Sequence, residues 1–223
     1  MGKNKLRRFA ENETFPHVLQ PNPRLLIGED FTLKGHWKER FFENTQPIVL
    51  ELGCGKGEYT IGLSERYPDK NYIGIDIKGA RIWRGAKTVA ERGILNVAFL
   101  RTKIQLITQC FAPAEVDEIW ITFADPQPKK ENKRLTSPDF LNKYQKILKK
   151  RGKIHLKTDS DILYEYTLEV CKQQGLEIIH NIPDVYTQLP QLNPALQDLL
   201  RIRTHYESLF SQTNTIKYCC FLL

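Results

Sequence analysis

IVLELGCGKG, residues 48–57, decides the reading of the chain. Ile48 to Leu52 follow Pro47, carry one charge, Glu51, and run into the alternating glycines Gly53, Gly55 and Gly57. A short apolar run bounded by Pro and Gly suits a strand buried on both faces, as in a parallel sheet. Glycines without Cβ can turn through positive φ and let a ligand approach the backbone closely. The amphipathic GEYTIGLSERY that follows, residues 57–67, reads as a helix. Strand, glycine turn and helix form the front end of a nucleotide-binding α/β domain.

Charge selects among nucleotides. The dinucleotide fingerprint G-x-G-x-x-G asks for glycine at position 58, and this chain has Glu58, with Glu51 at the strand end. Two carboxylates beside the turn oppose a pyrophosphate, which wants free N–H groups and positive potential. They suit a ligand bearing an ammonium and a sulfonium, which describes S-adenosylmethionine (SAM) better than NAD. NYIGID, residues 71–76, is a second strand ending in Asp76, about 20 residues past the turn, the spacing of an acid that binds ribose hydroxyls.

Outward from this centre, strands are expected near 48–52, 72–76, 96–101, 116–123, 152–158, 176–182 and 215–222. Helices are expected near 57–66, 79–92, 103–111, 138–150, 160–174 and 197–210. Gly93 and Gly175 suit C-caps, and Ser137–Pro138 suits a helix start. The rhythm predicts one α/β domain over 47–223: a Rossmann-like, seven-stranded, mostly parallel sheet with helices on both faces. Ligands of such sheets bind at the carboxyl ends of the strands. Residues 1–46 read as a basic N-terminal extension, opening with a mobile arm, MGKNKLRRF. KGHWKERFFEN, residues 34–44, would place Trp37 and Phe41 on one helix face.

VDEIWITF, residues 116–123, runs directly into ADPQPKKENKRLTS, which presents Asp125 before Pro126. Lys129, Lys130, Lys133 and Arg134 then form a basic block where a phosphate backbone would be gripped. KIHLKTDSD, residues 153–161, brings Asp159 to the same edge, with helix N-capping as its alternative role. The chain carries 33 Lys and Arg against 26 Asp and Glu, a net charge of +7, which favours an anionic partner such as nucleic acid. Five cysteines, at 54, 110, 171, 219 and 220, form no C-x-x-C and leave an odd count, as expected of reduced thiols in a cytoplasm. No His/Cys cluster has metal-ligand spacing, no Ser-His-Asp set is visible, and no apolar run approaches a membrane span.

ELGCGKG, Asp76, FADPQPKK–KRLT, LKTD and THYE occur in the order found in tRNA (guanine-N7-)-methyltransferases of the bacterial TrmB type, which the chain resembles over essentially its whole length. The glycine motif is common to class I methyltransferases; the DP-x-P-KK–KR segment with the late T-x-Y-E is far more specific. The resemblance implies methyl transfer from SAM to N7 of guanosine 46 in the tRNA variable loop. It implies SAM contacts at Glu51, Gly53, Gly55, Gly57, Asp76, Thr102, Lys103 and Asp125, with Asp125 catalytic. It implies substrate contacts at Lys129, Asp159, Thr204, His205, Tyr206 and Glu207, and no obligate protein partner, the enzyme being a monomer or homodimer. Three departures stand out: Ala124 replaces a Pro before the Asp, Gln127 replaces an aromatic after Asp-Pro, and Lys103 replaces an acid. Other SAM-dependent RNA or small-molecule methyltransferases, and a non-catalytic RNA-binding module on the same fold, are the rival readings. A basic rim distinguishes against a small substrate, and an intact cofactor loop against a decayed fold.

Overall fold

A computed structural model describes residues 3–210 and 214–223. The strands are β1 (Val18–Leu19), β2 (Ile48–Leu52), β3 (Asn71–Asp76), β4 (Val97–Arg101), β5 (Val116–Thr122), β6 (Leu148–Thr158), β7 (Ile178–Ile182) and β8 (Lys217–Leu222). The helices are α1 (Lys3–Thr14), α2 (Glu58–Arg66), α3 (Gly79–Arg92), α4 (Ile107–Cys110), α5 (Pro138–Gln145), α6 (Asp161–Gln173), α7 (Val185–Gln188), α8 (Pro194–Leu200) and α9 (His205–Phe210). One sheet runs in the order β1-β4-β3-β2-β5-β6-β8-β7, parallel except where β8 pairs antiparallel with β6 and β7. The Rossmann-like, mostly parallel architecture is as expected. The eighth strand is the two-residue β1, too short to show a period, which pairs Val18 with Phe99 at the sheet edge.

β2 lies at the middle of the sheet with all five residues buried, as its unalternating apolar run requires. Its two faces feed separate cores. Leu50 and Leu52 pack with Ile73, Ile75 and Ile121, while Val49 packs with Tyr59, Phe99 and Trp120. α3 buries Ile82, Ala86 and Val89 at helical spacing and ends at Gly93, whose φ of 63° is a left-handed cap.

Four expectations change. MGKNKLRRF is not a mobile arm over its described part: residues 3–14 form α1, which docks on α3. Asn12 donates to the Gly79 carbonyl at 2.8 Å, the Trp83 indole donates to Glu11 at 2.8 Å, and Arg8 lies over Trp83 at 4.6 Å. Residues 37–41 form a single π-helical turn, with Trp37 fully buried against Phe111 and donating to the Cys110 carbonyl at 2.9 Å. α5 stops at Gln145, because Ile147 and Leu148 are drawn into the core and the chain enters β6. The expected helix 197–210 is two helices, broken at 201–204, where Lys157 donates to the carbonyls of Leu200 at the end of α8 and Ile202 just beyond it. No helix among the described residues is long and apolar enough to cross a membrane.

Candidate active site

The turn after β2 sits at the carboxyl edge of the sheet. Gly53, Gly55 and Gly57 have φ of 77°, 57° and 71°, which L side chains rarely adopt. A Cβ on Gly57 would also lie 2.4 Å from the Phe99 ring, so this glycine lets the turn settle on β4. Nothing stands within 4 Å of where a Cβ on Gly53 would be, so its outer face is open. Asp76 closes the turn from β3: its Oδ2 accepts from the Gly55 N–H at 3.0 Å and its Oδ1 from the Lys78 N–H at 2.7 Å.

Two clefts meet at Gly53. The larger, about 730 Å³, is walled by Gly53, Asp76, Ile77, Thr102, Lys103 and Leu106, with Pro23, Arg24 and Ile27 from the N-terminal segment and Lys133, Leu135 and Phe140 beyond β5. Thr102 is buried, and its hydroxyl has no hydrogen-bond partner. An orphaned hydroxyl, an acid and two apolar walls fit an adenosine, whose ring is apolar on its faces and polar at its edges. The smaller cleft, about 280 Å³, is walled by Glu51, Gly55, Lys56, Glu58, Arg81, Thr122, Phe123 and Thr204 to Tyr206. Its carboxylates suit the ammonium end of SAM, so the residues present fit that cofactor.

Glu51 lies at the floor of the smaller cleft. It accepts the Thr60 N–H at 2.8 Å, the Thr122 hydroxyl at 2.5 Å and the Thr60 hydroxyl. Burial outweighs these bonds and raises its pKa from 4.5 to about 7, with Glu58 adding a smaller push. Cys54, buried in the same turn, has its thiol pushed well up, first by burial and then by Glu51 and Asp76.

Asp125 lies on the exposed loop just past β5 and lines neither cleft. Its Oδ1 accepts the Gln127 N–H at 3.0 Å, an Asx turn that holds the carboxylate against the loop. Phe123 and Gln127, on either side, have φ of 49° and 46°. Arg134 staples the loop: it is buried, donates to the Pro126 carbonyl at 3.0 Å, pairs with Glu131 at 3.2 Å and lies over Tyr166 at 4.3 Å. Arg134 therefore leaves the expected phosphate grip, and Lys129, Lys130 and Lys133 remain exposed.

THYE is a capping box, whose T-x-x-E spacing is its sequence signature. Thr204 Oγ1 accepts the Glu207 N–H at 3.0 Å, and the Glu207 carboxylate reaches back to the Thr204 N–H at 3.4 Å. Thr204, His205 and Tyr206 thereby line the smaller cleft, with the His205 N–H bound to Glu58 at 2.8 Å. Tyr206 lies against Phe123 with ring centroids 5.6 Å apart. Glu207 itself points inward and is fully buried, paired with Lys157 at 2.9 Å and accepting the Tyr186 hydroxyl at 2.5 Å. It acts on this cleft by holding α9, not by lining it. Lys157, equally buried, also donates to the Leu200 and Ile202 carbonyls at 3.0 and 2.9 Å. Burial lowers its pKa against the opposing pull of Glu207. Nothing in LKTD marks this lysine as internal. Asp159 is not the cap of α6, which is Ser160; it accepts from Tyr206 at 3.3 Å and Asn214 at 3.0 Å. Lys129 and Asp159 line neither cleft.

Residues 45–220 match a family model described as "Putative methyltransferase". A tRNA (guanine-N(7)-)-methyltransferase of Christiangramia forsetii is 54% identical, over 92% of this chain and 91% of its own. One of Bacteroides fragilis is 47% identical, over 100% of this chain and 87% of its own. Among solved structures, the 16S rRNA methyltransferase KamB aligns with a TM-score of 0.60 at 11% identity, over 83% of this chain and 91% of that one. A SAM-dependent methyltransferase from Aquifex aeolicus aligns at 0.55 and 13%, over 91% and 98%. At these identities the structural likeness speaks for the fold.

Proposed function

The chain belongs to the tRNA (guanine-N(7)-)-methyltransferase family, and on that footing we propose that it methylates N7 of a guanine in tRNA, guanine 46 of the variable loop, using SAM. The observation that carries this reading is the meeting of two clefts at Gly53, one fitted to an adenosine and the other to a cationic group beside an aromatic rim. SAM supplies an electrophilic methyl on a sulfonium. In this assignment Asp76, whose two oxygens already tie down Gly55 and Lys78, turns its remaining lone pairs to ribose hydroxyls, and Thr102 offers its orphaned hydroxyl to the adenine edge. Lys103 contributes its backbone beside it. Gly53, Gly55 and Gly57 shape the turn, and Glu51 faces the amino acid end.

Guanine N7 carries an in-plane lone pair and no proton, so this chemistry needs orientation and charge stabilisation rather than a general base. Asp125 is assigned to the guanine: its carboxylate accepts from the N1–H and N2–H₂ edge, which adenine lacks, and balances the ring as it turns cationic. Lys129 and Asp159 are assigned to the RNA beside it, with Thr204, His205 and Tyr206 at the rim and Glu207 beneath them. Nothing in this reading calls for a protein partner; a monomer or homodimer in the cytoplasm suffices.

The test is incubation with labelled SAM and unmodified tRNA transcripts, then borohydride–aniline cleavage to map 7-methylguanosine. Cleavage at position 46 alone is expected. Label entering tRNA without cleavage would refute N7 as the target. Asp125→Asn, which keeps shape and removes charge, should lower turnover roughly 10²–10³-fold with tRNA affinity nearly unchanged.

A further inference from the structure

The run NKYQKILKKRGK, residues 142–153, holds six cations and no carboxylate, and none of them belongs to the site described above. The fold turns it into a groove. Gln105, Lys133 and Phe140 form the far wall of the cofactor cleft and also the near wall of a second depression of about 410 Å³, which continues along α5 past Lys143 to Lys146. Lys146 in turn borders a third depression of about 440 Å³, which runs past Lys150 to the start of β6 and the end of β8. The three join end to end. They lead from the carboxyl edge of the sheet, where the site lies, to its amino edge, and α5 alone accounts for about 12 Å of that path.

Charge along this path is one-sided. Lys149 is engaged by Asp117, and Arg151 by Glu177 at 2.7 Å. Among the described residues Lys133, Lys143, Lys146 and Lys150 have no ion-pair partner, and Asp139 is the one carboxylate side chain in the walls of the two outer depressions. Lys133, Lys146 and Lys150 are exposed. A fold that pairs Lys149 and Arg151 but leaves these four facing one groove creates a positive furrow, which attracts a polyanion. Apolar side chains such as Phe140, Leu148 and Leu223 form part of the floor, and the unpaired lysines stand over it, an arrangement that lets a sugar–phosphate strand engage successive ammonium groups.

We propose that this groove is a second RNA track, which binds the backbone of a part of the tRNA remote from the target base. The proposal rests on the tRNA reading above and extends it from the reacting guanine to the body of the substrate. The groove contributes affinity and orientation and takes no part in methyl transfer.

The variant Lys143→Gln/Lys146→Gln/Lys150→Gln tests it in the full chain. Binding of an unmodified tRNA transcript is measured by fluorescence anisotropy across a salt series, and methylation is measured separately at saturating tRNA. Loss of three phosphate contacts should raise Kd by about tenfold or more at 0.1 M salt and lower the log–log salt slope by about 2–3. Turnover at saturation should stay within about twofold of wild type. A short stem-loop carrying the target guanosine should bind wild type and variant alike. An unchanged Kd and salt slope for full-length tRNA overturns the groove, whether or not the wild type methylates it. Equal weakening for stem-loop and tRNA overturns it too, since that marks a general field rather than a track. A drop in affinity for polyglutamate with none for tRNA assigns the groove to an acidic protein and overturns the RNA proposal. Failure of the wild type to methylate tRNA, with the salt slope still falling in the variant, sinks the enzymatic reading and leaves the groove standing.

Discussion

Glu51 shows how one residue carries cost for a site. A carboxyl group buried under α2 and bound to Thr60 and Thr122 is held neutral up to about pH 7. Between the unfolded value of 4.5 and about 7, the unfolded chain has lost this proton and the folded chain has kept it. Stability therefore falls as pH rises through that window and levels off above it. The raised pKa corresponds to about 3 kcal/mol across the window. Glu51→Gln keeps the shape and an acceptor without the charge. Urea denaturation at pH 4.5 and at pH 7.5 should show the wild type losing about 3 kcal/mol more than the variant over that interval. Parallel pH profiles for the two proteins would mean that Glu51 ionises as an ordinary carboxyl group.

At the scale of elements, local signals were legible and distant ones were not. IVLELGCGKG announces strand, turn and helix within ten residues, because burial and positive φ leave their mark on residue type. Asp76 was legible because it follows the turn at a fixed interval. Arg134 looked like part of a basic run until the fold buried it against Tyr166 and Pro126. Lys157 is the extreme case, since its partners lie 43 to 50 residues further along. It neutralises Glu207 and ties down the ends of α8 and the start of α9, the segment that carries Thr204, His205 and Tyr206 to the rim. Lys157→Met removes the ammonium and leaves a buried carboxylate with no counter-charge, a change that costs about 3–5 kcal/mol. Lys157→Met/Glu207→Leu removes both charges and should recover much of that loss. Equilibrium denaturation at pH 7 separates the outcomes, and a single variant within 1 kcal/mol of wild type (on the order of an exposed pair) would mean the pair is hydrated.

On the scale of the whole molecule, the cofactor cleft is where three parts of the chain converge: Pro23 to Ile27 before the first long strand, the turns after β2, β3 and β4, and Lys133 to Phe140 beyond β5. A ligand that fills it binds the folded chain and not the unfolded one, so it stabilises the assembly of all three. At a SAM concentration of one hundred times Kd that linkage is worth about 2.7 kcal/mol. For a domain of this size each kcal/mol moves Tm by about 2–4 °C, so saturation should raise it by about 5–11 °C. Ile27 separates the convergence from mere proximity. It is 76% exposed, so Ile27→Asp removes little from the core and should leave the Tm of the free protein within about 2 °C of wild type. The same substitution replaces an apolar wall of the cleft with a charge and should cut the SAM-induced rise by half or more. Asp76→Ala serves as the control from the opposite wall and should cut it further, because it removes charged hydrogen bonds worth about 1.5–3 kcal/mol each. A full SAM-induced shift in Ile27→Asp, with Asp76→Ala impaired, would place the ligand against the sheet alone and leave the N-terminal segment as a bystander.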